Sequence, residues 1–170
     1  MTSSISDNIK KREKANDKFY TPESLVQIHL NKFIIPDGSI IFEPFRGKGA
    51  YFNEMEKRFP NCILKWCEIE EKVDFFEYKE HVDYIISNPP YSIIQKVLEH
   101  SVSLKPKIIS YLIGFHNLTA KRIEYMNENG YFISDFHLTK VFKWYGMSLI
   151  VTFSNQIEKN IIDSDRIIHR

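Results

Sequence analysis

The sequence predicts an α/β protein built on one doubly wound, mostly parallel sheet. Short apolar runs alternate with amphipathic segments of helical spacing, which is typical of a parallel sheet with helices on both faces. The last two runs follow each other without a helix, so a terminal hairpin with an antiparallel last strand is expected. Seven runs qualify as strands, namely 39–45, 62–69, 74–78, 82–88, 107–115, 131–142 and 148–155.

Helices are predicted between most of these strands, and punctuating residues mark their ends. Thr21 is expected to cap the first helix, with Pro22 at its first position. A second helix follows the loop after the first strand and stops before Pro60. A third follows the fourth strand, and a fourth runs from a Thr119 cap to a Gly130 stop.

Length and composition indicate one folded domain with short extensions. The chain has 170 residues, of which 43% are hydrophobic and 26% charged, as in ordinary globular domains. Residues 1–18 are predicted to be a polar arm, 19–155 the domain, and 156–170 a tail. No apolar run reaches the roughly 18 residues of a membrane helix. A soluble, intracellular protein (cytoplasmic or nucleoid/nuclear) is therefore expected. Cys62 and Cys67 are expected to be free thiols, with no metal site.

The charges are distributed unevenly along the chain. Residues 43–100 carry 8 basic and 11 acidic groups, whereas residues 101–145 carry 6 basic and 3 acidic groups. This pattern suggests a nucleic-acid contact close to a small-molecule site lined by acids. Solvated helix faces are an equally good interpretation of any single charge.

Ligands of such sheets bind beyond the carboxyl ends of the strands, where two loops carry acids. The first strand leads into FEPFRGKGAYF, in which Gly47 and Gly49 allow a tight turn beside helix N-terminal amides. Glu43 in this loop would repel a phosphate and would suit a ligand with an amine or sulfonium. The second strand ends at Glu68, which is placed to accept from the ribose hydroxyls of an adenosine, with Glu70 in reserve. An ordinary strand-to-helix turn is the alternative for the glycine loop.

Two further stretches contain candidate contacts for a planar base. Asp74 could accept from an adenine amine and Phe75 could cover a ring face, although by itself such a pair is more often part of a hydrophobic core than a cofactor contact. The fourth strand ends in Asn-Pro-Pro-Tyr at 88–91. Because prolines have a fixed φ and no N–H, they hold the chain extended and leave carbonyl groups free to accept. The Asn88 side-chain oxygen and the neighbouring carbonyl could therefore accept both hydrogens of an amine, with Tyr91 against the ring.

Three motifs in this order resemble a known family. Asn-Pro-Pro-Tyr at 88–91 resembles motif IV of the S-adenosylmethionine-dependent amino-methyltransferases, best known among DNA adenine-N6 methyltransferases. FEPFRGKGAYF is similar to their motif I, and KFYTP at 18–22 to their motif X. The resemblance spans about residues 17–154 and implies a seven-stranded class I methyltransferase (Rossmann-like) fold. It also implies S-adenosyl-L-methionine as cofactor and no metal.

The resemblance assigns roles to matching positions. It implies that catalysis rests on Asn88, Pro89, Pro90 and Tyr91. It implies that the cofactor is bound by Tyr20, Thr21, Pro22, Glu43, Phe45, Gly47, Gly49, Glu68, Asp74 and Phe75. The hairpin loop offers nucleic-acid contacts at Lys140, Lys143, Trp144 and Tyr145, with Phe142 as a further stacking wall, although packing of this loop on the core is an equal alternative.

The leading interpretation is methyl transfer to the N6 amine of adenine in DNA. A second keeps the chemistry but changes the acceptor to RNA adenine or a protein glutamine amide. A third is a non-catalytic subunit with this fold, suggested only by Arg46 and Lys48 in the glycine loop. Since no separate target-recognition domain is apparent, selection of the target site is expected to come from short loops, the N-terminal arm, a homodimer or a specificity subunit.

Overall fold

One sheet forms the centre of the protein in a computed structural model, which describes residues 21–141, 146–162 and 164. Six strands are present in these ranges, β1 Ile40–Glu43, β2 Ile63–Trp66, β3 Tyr84–Ser87, β4 Ile108–Gly114, β5 Phe132–Thr139 and β6 Ser148–Ser154. Their order in the sheet is β2-β1-β3-β4-β6-β5. The first four run parallel, and β6 is antiparallel to both β4 and β5. The predicted terminal hairpin with an antiparallel last strand is confirmed.

Four helices of the described ranges cover the two faces of the sheet, α1 Glu23–Leu30, α2 Ala50–Arg58, α3 Ile94–Ser103 and α4 Ala120–Glu128. Neighbouring strand residues face opposite sides. Ile41 and Ile86 pack with residues of α1 and α2, whereas Phe42 and Ile85 pack with residues of α3 and α4. The sheet is therefore buried between two helical layers, as its continuous apolar strands require. None of the described helices is long and apolar enough to cross a membrane.

The prediction of seven strands was wrong, because the third candidate is not a strand. The backbone at Phe75–Glu77 forms a 3₁₀ turn. The side chain of Asp74 caps this turn, since its Oδ1 accepts from the backbone N–H of Phe76 at 2.9 Å. A short side chain that bonds its own backbone competes with the ladder of a strand. In the described part of the chain, β2 is consequently an edge strand.

Helix ends match the sequence at one predicted cap and not at another. The Thr119 side chain accepts from the backbone N–H of Arg122 and caps α4, as predicted. The predicted Thr21 cap was wrong, because α1 begins at Glu23 after Pro22, without a side-chain cap. Instead, the Pro22 carbonyl accepts from the backbone N–H groups of two helix residues. The hydroxyl of Thr21 is left for another partner.

The chain order of the strands creates a crevice between β1 and β3. After β1 the chain passes to β2 on one side, then returns across β1 to form β3 on the other. Strand order reverses at this point, and the loops leaving the carboxyl ends of β1 and β3 diverge. In open α/β sheets such a reversal marks the usual ligand site.

A buried polar chain fixes α1 and α2 to the sheet. The imidazole of His29 is fully buried, with Nδ1 2.7 Å from the Tyr51 hydroxyl and Nε2 2.8 Å from Ser110 Oγ. Ser110 in turn lies 2.7 Å from Thr152 Oγ1 on β6. Burial lowers the pKa of His29 to about 3, with Lys32 adding to the effect. The imidazole is therefore neutral at ordinary pH.

Candidate active site

The carboxyl end of β1 presents a buried carboxyl group, that of Glu43. This side chain is 1% exposed, and its Oε2 has no hydrogen-bond partner among the described residues. Burial raises the pKa of Glu43 well above its usual range, against the lowering effect of the Phe52 backbone N–H and of Arg46, while Glu68 raises it further. Glu43 thus offers a proton-bearing or anionic oxygen in a dry site.

Glu43→Gln is expected to raise stability at neutral pH. A carboxyl whose pKa is higher in the folded than in the unfolded protein contributes stability below the unfolded value, and this contribution is lost as pH rises towards the folded value. Glutamine has no ionisable carboxyl, so the variant does not lose this stability as pH rises. The melting temperature of the variant should therefore exceed that of the wild type at pH 7 to 8, and the difference should shrink near pH 4 (about the usual carboxyl pKa). A difference that does not change with pH would contradict a carboxyl whose pKa is raised by burial.

The loop after Glu43 bends through two glycines in the left-handed region. Gly47 has φ 52° and Gly49, which precedes α2, has φ 84°. A side chain at Gly49 would also place its Cβ 3.2 Å from Asn53 Oδ1. The backbone N–H of Gly47 donates to Glu68 Oε2 at 2.6 Å. The glycine loop therefore touches the end of the second strand directly.

Glu68 lies between the first and second loops. Its Oε1 accepts from the Glu70 backbone N–H at 3.1 Å, so both carboxylate oxygens receive backbone donors. Next to it, Arg46 places its guanidinium 3.8 Å from the centre of the Trp66 ring and pairs with Glu71. Cation–π contact and ion pairing hold this long cation over the end of β2.

Asn88 directly follows β3, across the crevice from Glu43. Its Nδ2 donates to Thr21 Oγ1 at 3.0 Å, which fixes the amide plane. Its Oδ1 is buried and has no hydrogen-bond partner within the described ranges. Buried acceptors are nearly always satisfied in folded proteins, so a vacant one calls for an explanation. Asn88 therefore presents a fixed acceptor that a ligand donor can complete.

The residues after Asn88 form a short extended segment that leads into a turn. Pro89 is buried and Pro90 half-buried, and neither supplies an N–H. Tyr91 opens a 3₁₀ turn, Tyr91–Ile93, and packs partly against the core beneath α3. Burial raises the pKa of the Tyr51 hydroxyl well above its usual range, and Glu43 and Tyr91 raise it further.

The remaining predicted residues are less uniformly placed. Phe45 is half-buried and meets the Phe75 ring at 5.1 Å between centroids. Phe75 is 3% exposed and lies in the core. One carboxylate oxygen of Asp74 accepts from the Phe76 backbone N–H. The exposed ring next to Phe75 is that of Phe76. Pro22 and Lys140 are exposed. Five predicted residues lie outside the described residues, namely Tyr20, Phe142, Lys143, Trp144 and Tyr145.

One contributor to this site was not predicted, and one predicted residue makes an additional contact. The hydroxyl of Thr21, a predicted cofactor contact, accepts from Asn88. Tyr51 was not selected, and its hydroxyl connects the site to His29. Its position as the second residue of α2, directly after the glycine loop, is a signal that could have identified it. In the described part of the chain, no group of three or more His, Cys, Asp or Glu residues could hold a metal ion.

Comparison with known proteins identifies the fold. No protein-family model matches the sequence, and no curated protein is similar to it. Among solved structures, precorrin-6y C5,15-methyltransferase from Geobacter metallireducens GS-15 has a TM-score of 0.60 at 15% identity, over 81% of this chain and 90% of that one. TrmK from M. capricolum, in complex with S-adenosyl-homocysteine, has a TM-score of 0.62 at 8% identity, over 86% of this chain and 73% of that one.

A third similar structure is the type I restriction-modification system methyltransferase subunit from Streptococcus thermophilus. It has a TM-score of 0.62 at 12% identity, with 81% of this chain matched to 44% of that one. The three proteins share an architecture rather than a substrate. The chain therefore has the Rossmann-like fold of methyltransferases, with six strands in its described part.

Proposed function

We propose that this protein is an S-adenosylmethionine-dependent methyltransferase that methylates the N6 amine of adenine in DNA. The observation that supports it most is the vacant, buried Oδ1 of Asn88 next to two prolines at the β1–β3 crevice. An amine nitrogen needs acceptors, not donors, beside it. Asn-Pro-Pro supplies acceptors where the backbone can offer no competing N–H.

The residues around the crevice fit S-adenosylmethionine. The cofactor bears a sulfonium, an amino group and a ribose, all of which favour carboxylates. The orphaned, buried Oε2 of Glu43 suits a cationic or N–H donor, because an arriving positive charge would favour the ionised carboxyl. Glu68 lies at the end of β2, where ribose hydroxyls would replace or join its backbone donors. The exposed ring of Phe76 is the available apolar surface beside them.

The chemistry follows from how Asn88 is held. When bound, the cofactor supplies an electrophilic methyl group. The lone pair of an exocyclic amine is delocalised into its ring, so the amine is a poor nucleophile. Asn88 Oδ1 and the Pro89 carbonyl would accept its two N–H groups, favour a pyramidal nitrogen and stabilise its growing positive charge. The bond from Asn88 Nδ2 to Thr21 fixes this acceptor in advance, so little reorganisation is needed.

Adenine in nucleic acid is the preferred acceptor because the amine lies beside a broad ring. Tyr91 would contact that ring, and in a duplex the base would first be flipped out at a cost of about a few kcal/mol. The same two acceptors could hold RNA adenine or a glutamine amide. We assign the catalytic unit to residues 19–155, with the N-terminal arm, a second copy or a specificity subunit selecting the target.

Methyl transfer can be tested directly. The protein is incubated with S-adenosylmethionine labelled in its methyl group and with unmethylated DNA, RNA or a protein extract in parallel. Label in N6-methyladenine of DNA is the expected result, and it should be suppressed by excess S-adenosyl-homocysteine. Label in RNA alone or in protein alone would show that this macromolecule, and not DNA, is the methyl acceptor. If calorimetry detects no cofactor binding and no methyl group is transferred, the non-catalytic subunit becomes the better interpretation.

A further inference from the structure

The carboxyl edge of the sheet is divided by charge. Its β1–β2 half carries the carboxyl groups of Glu43, Glu68, Glu70, Glu71 and Asp74. The segments that leave β4 and enter β6 on the other half carry no acid, since none occurs between Glu99 and Glu124 or between Asp135 and Glu158. The carboxyl group of Glu23 lies beside this half, because its neighbour Leu25 in α1 packs with Leu112 and Ile150. Asn88 at the end of β3 lies between the two halves. We call six described residues of the β4–β6 half the acceptor rim, namely Phe115, His116, Lys121, Arg122, Lys140 and Met147.

An apolar pair is exposed in the acceptor rim. The 3₁₀ turn Phe115–Asn117 directly follows β4, and the Phe115 backbone N–H donates to the Met147 carbonyl at 2.8 Å. Phe115 is 51% exposed and Met147 44% exposed. Because Gly114 pairs with Ser148, backbone bonding fixes both residues at the same edge. A turn fixed by backbone bonds therefore presents a half-exposed aromatic ring on the strand next to β3.

A guanidinium group without a carboxylate partner lies in the same rim. Arg122 Nη1 donates to the backbone carbonyl of Asn117 at 2.6 Å, which turns the guanidinium back towards the turn that bears Phe115. No carboxylate in the described part of the chain forms an ion pair with Arg122. A guanidinium has five N–H donors in a planar fork, which matches phosphate. Arg122 thus retains donors for an anion.

The register of the strands gives the scale of this arrangement. Ser87 is paired with Tyr111, so Asn88 is level with Leu112, and Phe115 lies three residues further along. At about 3.3 Å per residue, this is roughly 10 Å beyond the amine site. Such a separation suits the nucleotide next to a target base rather than the target base itself. Stacking on an aromatic ring and a cation on the backbone are the usual means of holding a single strand.

We propose that Phe115 and Arg122 bind the nucleotide adjacent to the target adenine, with Phe115 stacking on its base and Arg122 contacting its phosphate. The proposal rests on the proposed function for the identity of the target. It adds two residues, outside the motifs and the hairpin loop, that position the strand. In this arrangement the phosphates of the bound strand lie at the acceptor rim, away from the acids of the β1–β2 half that suit the cofactor.

Binding of a fluorescent, adenine-containing single-stranded DNA oligonucleotide tests this proposal. Phe115→Ala is expected to raise Kd about fivefold or more. Arg122→Gln is expected to raise Kd at low salt and to reduce the slope of log Kd against log salt by about 0.7. Arg122→Lys should keep the slope. Lys57→Gln is the matched control, since Lys57 is 69% exposed at the end of α2, on the opposite edge. Its Kd should stay within about twofold of wild type, because an exposed charge so far from the site is screened.

The outcomes separate this inference from the proposed function. Melting temperatures and calorimetric S-adenosylmethionine affinity should match wild type in all four variants. If DNA is methylated but Phe115→Ala and Arg122→Gln bind the oligonucleotide normally, the proposed function stands and the inference is overturned. If binding depends on both residues but no nucleic acid is methylated, the proposed acceptor fails and the binding surface stands. Absence of oligonucleotide binding by the wild type overturns the inference.

Discussion

Asn88→Ala is expected to lower methyl transfer to DNA by about 10²–10³-fold, the usual effect of removing one preorganised polar group from a reacting centre. The substitution removes the vacant Oδ1, the acceptor that would stabilise charge on the amine nitrogen. Cofactor affinity should remain within about threefold, since no cofactor contact is assigned to Asn88 and its effect is confined to the transition state. Single-turnover rates with saturating cofactor, alongside calorimetric titration, measure the two quantities separately.

Thr21→Val is the matched control for this experiment. Asn88→Ala also removes the donor to Thr21, so part of its effect could come from a loosened α1. Thr21→Val breaks the same hydrogen bond while leaving Oδ1 in place. A loss of about tenfold is expected, as for one neutral hydrogen bond, well below that of Asn88→Ala. Equal losses would indicate a structural role for Asn88, and full activity of Asn88→Ala would show that the amine binds elsewhere.

Much of the fold follows from local patterns. Strands such as 107–115 and 148–155 are continuous apolar runs, and burial on both faces leaves them no other stable arrangement. The segment at 74–78 shows where such patterns fail. Its aromatic residues suit a strand, but the carboxylate of Asp74 bonds the backbone two residues on, and a capped turn results. A side-chain bond of this kind depends on local geometry that hydrophobic periodicity does not encode.

The candidate site was predictable where residue type and strand end coincide. Glu43 is the last residue of β1, and Glu68 and Asn88 follow β2 and β3, so the parallel sheet brings all three to one edge. The bond between Thr21 and Asn88 joins residues 67 positions apart, and no local pattern indicates it. The same holds for Arg122, whose bond to the Asn117 carbonyl is not indicated by any local sequence pattern.

The buried imidazole of His29 has the largest expected effect on stability. Its pKa is lowered to about 3 in the folded protein by burial, against 6.5 for the free group. A group with a depressed folded pKa contributes stability above the unfolded value, and that contribution is lost as pH falls towards the folded value. The free energy of unfolding should therefore decrease between pH 6.5 and 3, by roughly 4 kcal/mol in all from this residue. Below pH 5 the carboxylates add their own effects.

Urea unfolding at pH 7.0, 6.0 and 5.2 can isolate the contribution of His29. His29→Leu should be less stable than wild type at pH 7 by about 1–3 kcal/mol, because it leaves the Tyr51 hydroxyl without its partner. Its stability should then fall less steeply with acidification, by up to about 1.4 kcal/mol per pH unit. Thr152→Val is the control, since it breaks the next bond of the chain but keeps the imidazole. Thr152→Val should lower the free energy of unfolding while retaining the wild-type dependence of that free energy on pH. An unchanged pH dependence in His29→Leu would show that the pKa of the imidazole is not lowered in the folded protein.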